Sequence, residues 1–469
     1  MAAATVAAGV AAGVAGTALT VLLHLIQYAA FGYTDETFLV GVLHASPLRR
    51  VAALAAGGLL AGAGWWLYRR LVTTPSSVTA AVAGRDTLPI RSAAPDAVLQ
   101  ILAVGSGASL GREGAPRQLG AALGGWLADR LRLDAERRRL LLACGAGAGL
   151  AAVYNVPLGG TLFTLEVLLA SRALRDVVPA AVTAAIATVV SWPVLGTGPT
   201  YALPRASVSA PLVVLALLLG PMAGLAGVAF NRLTTAAREH APTGWRIIVA
   251  IPLVLAALGG IAAVYPALLG NGKALADLAF TGRLPLTAAA VLLVLKPVAT
   301  AACLRAGAIG GLLTPSLATG AVLGVLAGAG WAELWPGAAP AACSLAGAAA
   351  LLAVTQRAPL TATVLSFEFT HADWSLLAPV LFAVALAVAT GRLLDRGRIA
   401  GSRGTEVASL NETERGRKLA GLGQPRPGPT PRQRGTFPPR RHLAAELSGA
   451  LKRPPPLPAR RESALRWPV

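Results

Sequence analysis

Two glycine-rich interruptions within apolar segments place polar chemistry where lipid would not tolerate it. The first reads GSGASLGREGAPRQLG at 105–120, and the second reads GAIGGLLTPSLATG at 307–320. Hydrocarbon offers no partners to backbone N–H and C=O groups, so a broken helix at membrane depth survives only where protein or a watery cavity surrounds it. The helix after a break presents unpaired N–H groups and a partial positive charge, which together bind anions. The two interruptions therefore predict an anion site.

Glu113, in the turn Gly111-Arg112-Glu113-Gly114, carries the strongest functional signal. An ionised carboxylate within a membrane is costly, so an intramembrane acid indicates a functional site. N–H groups that can hold an anion can equally hold this carboxylate, and Glu113 would vacate the anion position when protonated or rotated away. Such a residue is a gate. The alternative is a carboxylate that only caps the following helix and pairs with Arg112.

The overall composition indicates which elements must position these residues. Hydrophobic residues make up 55% of the 469 residues, charged residues make up 13%, and the mean hydropathy is +0.62, which is typical of a membrane protein. Several apolar stretches are shorter than the roughly 20 residues that a bilayer-crossing helix needs, so they predict tilted, re-entrant or protein-buried helices. The predicted fold class is an all-α polytopic membrane protein. The run from Ala2 to Ala30 is expected to be a retained helix.

Positive charge is concentrated in the C-terminal segment. Residues 401–469 hold 14 Lys and Arg against 5 Asp and Glu, so nine of the net +20 charges lie there. This segment is also rich in proline and lacks apolar periodicity, which is typical of a disordered chain. A Lys and Arg excess beside a last span marks the cytoplasmic side and favours contact with anionic lipid. We expect a disordered cytoplasmic tail and no nucleic-acid partner.

Metal and redox chemistry have no candidates in the sequence. Cys144, Cys303 and Cys343 lie in small-residue apolar segments without metal-ligand spacing, and the five histidines form no H-x-x-x-H pair. An intramembrane enzyme would need a nucleophile and a base in one layer, and no His or Cys lies near Glu113 in the sequence. We expect no metal, no cofactor and no enzymatic activity.

Four segments together resemble a known family. GSGASLGREGAPRQLGAALG at 105–124, LAAVYNVPLGGTLFTLEV at 150–167 and GGLLTPSLATGAVLG at 310–324 look like signature segments of the CLC chloride channels and chloride/proton antiporters. QRAPLTATVLSFEFT at 356–370 is similar to a stretch near that family's final helices. The resemblance follows the same segment order over roughly residues 5–395.

The resemblance implies two inverted-topology halves of tilted and broken helices, about 1–200 and 205–400, within a transmembrane domain over 1–400. It also implies a cell-membrane homodimer with one anion pathway per subunit, and a midplane site between inverted repeats fits that arrangement. Chloride or another small monovalent anion is the implied substrate.

By motif position, the resemblance implies roles for individual residues. Glu113 is similar to the gating glutamate that competes with the anion, and Arg112 and Gly114 flank it in the anion site. The backbone amides of Leu312 and Leu313 match those that hold the central anion. Residues expected to shape the helix starts and turns are Gly111, Gly310, Gly311, Pro315, Asn155 and Pro157.

Three departures from the family pattern bear on the anion site. The family's GSGIP segment is absent, and LVTTPSSVTAAV stands at 71–82. Aligning Pro75 with the family's proline leaves Thr73 or Thr74 as the hydroxyl donor to the anion. The tyrosine expected near 397–404 is absent, and Ala115 replaces the proline of GREGP.

The last departure concerns proton coupling. Proton-coupled relatives usually carry a second acid where this chain has Val167, directly after Glu166. Valine cannot relay a proton, so we expect passive, channel-like conduction gated by Glu113. Chloride/proton or fluoride/proton exchange is the alternative within the family, since some coupled relatives lack that acid. A membrane scaffold that transports nothing is the alternative outside transport, because the family's serine and tyrosine motifs of the anion site are absent.

Overall fold

A computed structural model describes residues 1–32, 37–72 and 77–395. Thr73 and Thr74 lie outside the described residues, as does the basic segment 401–469. Regular structure in the described ranges is helical apart from one isolated bridge. Seven helices in these ranges are long and apolar enough to cross a membrane. The predicted all-α polytopic class is confirmed.

The helices fall into two series along the chain. The first series is α1 (Ala2–Phe31), α2 (Phe38–His44), α3 (Pro47–Leu71), α4 (Val78–Val82), α5 (Ile90–Gly105), α6 (Gly114–Arg130), α7 (Ala135–Tyr154), α8 (Pro157–Leu162, continued by a π-helical turn Phe163–Leu169) and α9 (Leu174–Leu195). The second series is α10 (Ala210–Glu239), α11 (Arg246–Ile261), α12 (Lys273–Phe280), α13 (Leu286–Arg305), α14 (Leu313–Ala332), α15 (Pro340–Gln356), α16 (Pro359–Thr370) and α17 (377–395). Single 3-10 turns cover Pro266–Leu268 and Trp374–Leu376.

The two series repeat one order of elements. A break separates α5 from α6 and α13 from α14, and three further helices follow α6 and α14 in their series. Asn155 after α7 and Arg357 after α15 both adopt the left-handed conformation, with φ of 56° and 54°. Pro157 and Pro359 then start α8 and α16 at the first helical position, where the missing N–H of proline is harmless. The described helices therefore form two series of broken helices with the same order of elements.

Glycines at equal spacing bring the outer helices of each half together. Gly9 and Gly13 of α1 lie against α9, and Gly220 and Gly224 of α10 lie against α17. A Cβ at any of these four positions would come within 2.9 Å of an atom of the partner helix. Small residues four apart allow such close approach in a membrane, where van der Waals packing drives helix association. Glycine at these four positions therefore allows close packing of the outer helices.

The helices that carry the breaks pack in the same manner. On α6, Gly120 faces the carbonyl oxygen of Gly145 on α7, and on α14, Gly320 faces the carbonyl oxygen of Gly347 on α15. In both pairs a Cβ would collide with backbone, which cannot move aside as a flexible side chain can. These contacts fix α6 and α14, and with them the positions of the two breaks.

Candidate functional site

The two breaks meet through their backbones. Gly111 in the first break and Gly311 in the second form an isolated antiparallel bridge. Each donates its N–H to the carbonyl oxygen of the other, and both N···O distances are 2.8 Å. The helices that follow, α6 and α14, therefore begin beside each other and bring two partially positive N-termini to one junction.

Glu113 lies at this junction with its side chain fully buried. Its Oε1 accepts a hydrogen bond from the backbone N–H of Leu313 at 2.7 Å, and its Oε2 accepts one from the Thr314 hydroxyl at 3.1 Å. The carboxylate thus caps α14 in the other half, and it makes no capping bond to its own helix α6. It occupies the place that an anion would take at a helix N-terminus.

Glycine at both bridge positions leaves room for this carboxylate. A Cβ on Gly111 or on Gly311 would collide with Oε1 of Glu113. A Cβ on Gly310 would come within 2.7 Å of the Cβ of Leu110. A larger residue at Gly111 or Gly311 would close the space that the Glu113 side chain fills.

Tyr154, the last residue of α7, completes the surroundings of the carboxylate. Its hydroxyl lies 3.4 Å from Oε2 of Glu113 and 3.0 Å from Oγ1 of Thr314. Thr200 donates its hydroxyl to the carbonyl oxygen of Tyr154 at 2.8 Å, and the Tyr154 ring packs edge-on against Phe369. A buried tyrosine hydroxyl usually needs a polar partner. Here the partners are the gate candidate and the threonine that holds it.

Two arginines lie near Glu113, and neither forms an ion pair with its carboxylate among the described residues. The Arg112 guanidinium lies over the Tyr154 ring, 4.8 Å from the centroid, and donates to the carbonyl oxygen of Val153 at 3.2 Å. Arg117 donates its Nε–H to the backbone carbonyl oxygen of Glu113 at 2.9 Å. Both cations add positive potential around the carboxylate without direct contact. The alternative of an Arg112–Glu113 pair does not hold here.

A buried polar chain reaches the same turn from α5. Asp96 accepts hydrogen bonds from Trp65 Nε1 at 2.8 Å and from Gln100 Nε2 at 3.0 Å. The Oε1 of Gln100 lies against Gly114, where a Cβ would collide with it. The side chains of Asp96 and Gln100 therefore extend from a buried acid to a position against the turn that holds Glu113.

The remaining predicted residues that the structure describes lie at the start of α14, directly after α7 and in the π-helical turn after α8. Leu312 directly precedes α14, and Pro315 is buried in its first turn. Asn155 donates its amide to the carbonyl oxygen of Thr197 at 2.8 Å. Val167 is partly buried against the hydrophobic core. Across the described ranges, no group of three or more His, Cys, Asp or Glu side chains could hold a metal ion.

Two further acids make reciprocal contacts that the sequence analysis missed. Glu166, at the π-helical end of α8, accepts a hydrogen bond from the backbone N–H of Thr361 at 2.7 Å, in the first turn of α16. Glu368, near the end of α16, accepts one from the backbone N–H of Leu158 at 2.9 Å, in the first turn of α8. Each glutamate caps the helix that carries the other. We call these two acids the clamp acids.

The sequence analysis also missed Tyr154 and Thr314, although both lie in motifs that carry the resemblance. Tyr154 belongs to VYNVPLGG, and Thr314 belongs to GGLLTP. For Thr314 the available signal was its position: a hydroxyl residue in the first turn of a helix, directly after Leu313, whose amide was expected to hold an anion. For the clamp acids the signal was equal spacing, since Glu follows Pro by nine positions in both PLGGTLFTLE and PLTATVLSFE.

Sequence comparison identifies relatives of this chain. A family model described as "Voltage gated chloride channel" matches residues 57–392. A putative chloride channel protein ClcB-like from Ralstonia nicotianae is 35% identical over 348 residues, which cover 71% of this chain and 80% of that protein. An H(+)/Cl(-) exchange transporter ClcA from Vibrio parahaemolyticus is 33% identical over 303 residues, which cover 62% of this chain and 65% of that protein.

Structural comparison agrees with the fold. The X-ray crystal structure of a slow cyanobacterial Cl-/H+ antiporter matches with a TM-score of 0.74 and 24% sequence identity, covering 84% of this chain and 94% of that one. At this identity the likeness concerns the fold of broken helices. Because the family model also matches most of the chain, this protein belongs to the voltage-gated chloride channel (CLC) family of membrane proteins that transport anions.

Proposed function

We propose that this chain provides a passive pathway for chloride or another small monovalent anion, with Glu113 as its gate. The observation that carries the proposal is the buried Glu113 carboxylate at the N-terminus of α14, held by the Leu313 N–H and the Thr314 hydroxyl. A helix N-terminus binds anions, and this carboxylate is the anion that the chain itself supplies. The described conformation is then a closed gate.

Opening requires the carboxylate to leave the N-terminus of α14. Protonation weakens its charge-assisted hydrogen bonds, and rotation of the side chain withdraws both oxygens. Either event frees the amide and the hydroxyl for a permeant anion. Because anion and carboxylate compete for one set of donors, a higher anion concentration favours the open state.

Passive conduction draws support from Val167 and from the clamp acids. Val167 stands where the resemblance expects the proton-coupling acid, and valine carries no titratable group. Glu166 and Glu368 accept backbone hydrogen bonds at helix starts, which is a structural use of a carboxylate. None of these three residues offers a free acid for a proton relay.

Anion efflux from liposomes tests the proposal. With the membrane potential clamped by an ionophore, chloride and pH electrodes record both ions together. We expect the wild-type protein to release chloride without matching proton uptake. Glu113→Ala should release chloride about tenfold faster, because it frees donors worth at least one charge-assisted hydrogen bond.

Glu333→Gln is the matched control for the gate. Glu333 is exposed at the opposite end of α14, so this substitution removes a carboxylate from the same helix without touching the junction. We expect its efflux to equal that of the wild type. If Glu113→Ala released chloride no faster than the wild type, the gating role of Glu113 would be contradicted. Proton movement in a fixed ratio to chloride would contradict passive conduction.

Proton-coupled exchange is a second candidate, and the buried acid Asp96 favours it. Gln100 donates a hydrogen bond to this acid, and its side-chain oxygen lies against Gly114, next to Glu113. The names of one relative and of the solved structure also describe exchangers. If Asp96 supplied protons to Glu113, wild-type protein would move protons with chloride. Asp96→Asn would then abolish the proton movement and retain chloride efflux.

We further propose a homodimer in the cell membrane, with residues 401–469 on the cytoplasmic side and near anionic lipid. The Lys and Arg excess of this segment supports the orientation, and the small-residue helix faces support close helix contact. Labelling of a cysteine introduced after residue 401 tests the orientation, since Cys144, Cys303 and Cys343 are all buried. Reaction of the introduced cysteine with an impermeant maleimide in intact cells would contradict the cytoplasmic orientation.

The liposome assay also tests the scaffold alternative. If the folded wild-type protein released neither chloride nor fluoride, a non-transporting membrane scaffold would be favoured.

A further inference from the structure

We propose that the hydroxyls of Tyr154 and Thr314 are ligands of the transported anion as well as holders of the gate. This inference deepens the proposed function and rests on it. When Glu113 leaves the junction, a small monovalent anion takes the place of its carboxylate and receives the same two hydroxyl hydrogen bonds. The side chains that lock the closed gate then become part of the open site.

Thr314 differs from the other threonine of the same helix in what its hydroxyl contacts. Thr319 donates to the carbonyl oxygen of Pro315, four residues earlier in α14, which is the usual arrangement for a helical threonine. Thr314 is the second residue of α14, so no helical carbonyl lies four residues before it. Its hydroxyl donates to Glu113 instead. The start of the helix therefore frees this hydroxyl for a ligand.

The two hydroxyls present their protons to one negative group. Thr314 donates to Oε2 of Glu113, so Tyr154 donates either to the same oxygen or to the oxygen of Thr314. In both arrangements the hydrogen bonds run toward the carboxylate, because an ionised carboxylate only accepts. Tyr154 and Thr314 are 2% and 1% exposed, and a buried donor that loses its acceptor is costly. A halide ion restores the acceptor that Glu113 removes.

Positive charge next to Tyr154 also favours an anion here. The Arg112 guanidinium lies over the Tyr154 ring, and its buried Nε has no hydrogen-bond partner within the described part of the chain. The Leu313 N–H adds a backbone donor. Once the gate leaves, the site offers one amide, two hydroxyls and a nearby cation. The hydroxyls fill the role for which the sequence analysis considered Thr73 or Thr74.

Chloride binding in a gate-free background separates the two roles of the hydroxyls. Purified Glu113→Ala protein is titrated with chloride by calorimetry, alone and combined with Tyr154→Phe or Thr314→Val. Each second substitution removes one hydroxyl at nearly constant shape. We expect chloride affinity to fall about tenfold in each case, the value of one hydrogen bond to a charged group. Thr314→Ser in the same background keeps a hydroxyl and should retain the affinity.

Tyr201→Phe is the matched control for Tyr154→Phe. The Tyr201 ring lies 5.7 Å from the ring of Phe369, which also contacts Tyr154. The Tyr201 hydroxyl is buried without a hydrogen-bond partner in the described ranges, so its removal should leave chloride affinity unchanged. Size-exclusion chromatography of every variant verifies that it is folded.

The outcomes distinguish this inference from the proposed function. If the hydroxyls only hold the gate, Tyr154→Phe and Thr314→Val accelerate efflux in the wild-type background but leave the chloride affinity of Glu113→Ala unchanged, which overturns the inference alone. If the hydroxyls are ligands, the same substitutions also weaken chloride binding in Glu113→Ala. If Glu113→Ala binds no chloride, the proposed function and this inference both fail.

Discussion

The two breaks have matching backbones but different side chains. Gly107 and Gly307 both take positive φ, of 115° and 97°, and Gly111 and Gly311 form reciprocal hydrogen bonds. Two residues beyond those paired glycines, however, the first break has an acid and the second has Leu313, which contributes its amide. The repeat therefore provides a symmetric frame, and its two halves contribute complementary chemistry to one junction.

If both halves contributed the same side-chain groups to the junction, the junction would not act as a gate. Two acids at one junction would repel each other, because like charges that share a site disfavour ionisation. Two sets of donors without an acid would leave no internal occupant to close the site. With Glu113 in one half and Thr314 in the other, the chain supplies one occupant and one receptor.

The clamp acids show the opposite case, in which both halves keep the same chemistry. Glu166 caps α16 and Glu368 caps α8, so each half gives one acid and receives one. A helix N-terminus is stabilised equally by a carboxylate from either half. Structural contacts therefore stay symmetric in this molecule, while the chemistry at the junction diverges.

The largest expected effect comes from breaking the symmetric frame at its backbone contacts. Gly120→Ala and Gly320→Ala each place a Cβ against the carbonyl oxygen of a glycine in the adjacent helix. We expect each substitution to lower the free energy of unfolding by about 3 kcal/mol, because neither backbone can yield. Thermal unfolding of the purified protein, followed by tryptophan fluorescence, measures the change in each half.

Gly330→Ala is the control for these two substitutions. No atom lies within 4 Å of a Cβ at Gly330, which is also on α14. Its replacement should leave stability unchanged or raise it by about 0.5–1 kcal/mol through helix propensity. A large loss for Gly120→Ala together with none for Gly320→Ala would mean that the two helix pairs are not equivalent.

A smaller effect is expected from the clamp acids, whose removal tests the symmetric contacts. Glu166→Gln and Glu368→Gln each replace a charged acceptor at a helix N-terminus with a neutral one. We expect each to lower the free energy of unfolding by about 1–2 kcal/mol, and by similar amounts. Thermal unfolding compares both with Glu136→Gln, which removes an exposed acid paired with Arg175.

Glu136→Gln should change stability by less than about 1 kcal/mol, because an exposed ion pair contributes little. Efflux recordings add a second measurement on the clamp variants. Altered proton movement in Glu166→Gln with unaltered stability would contradict the structural role of that acid. The two clamp acids would then share the same contacts but differ in their roles.

The fold and the breaks could be predicted because their causes are local. Glycine permits positive φ and close backbone approach, so the glycines of GREG and GGLL indicate two breaks from short stretches of sequence. The partner of Glu113 is not a local property. Sequence reasoning named only the helix that Glu113 starts as a possible partner of its carboxylate, whereas in the structure the carboxylate accepts from the N–H of Leu313, 200 residues away.

The contacts of Tyr154 and Thr314 with Glu113 were missed for the same reason. Tyr154 approaches the carboxylate only because α7 packs on α6 and ends next to the second break. Tyr154 at the end of α7 and Thr314 at the start of α14 contact the same carboxylate only because the helices pack together. Glu113 could be singled out by itself, since an acid in an apolar segment is unusual without reference to any partner.

The smallest expected effect on stability concerns two turns that share one backbone conformation but differ in their side-chain contacts. Asn155 and Arg357 both end a helix in the left-handed conformation, which suits glycine best. The Asn155 amide donates to Thr197, and its oxygen accepts from Trp192 at 2.9 Å. Arg357 is 80% exposed, and its guanidinium reaches only within 4.0 Å of Asp395.

The same substitution should therefore act with opposite sign in the two halves. Arg357→Gly should raise the free energy of unfolding by about 0.5 kcal/mol, because glycine adopts this conformation without a Cβ penalty. Asn155→Gly gains the same relief but loses the side-chain hydrogen bonds, so stability should fall by about 1 kcal/mol. Parallel unfolding curves measure both signs. A gain in both variants would mean that the Asn155 contacts contribute nothing, and a loss in both would mean that the Arg357 side chain is needed where it lies.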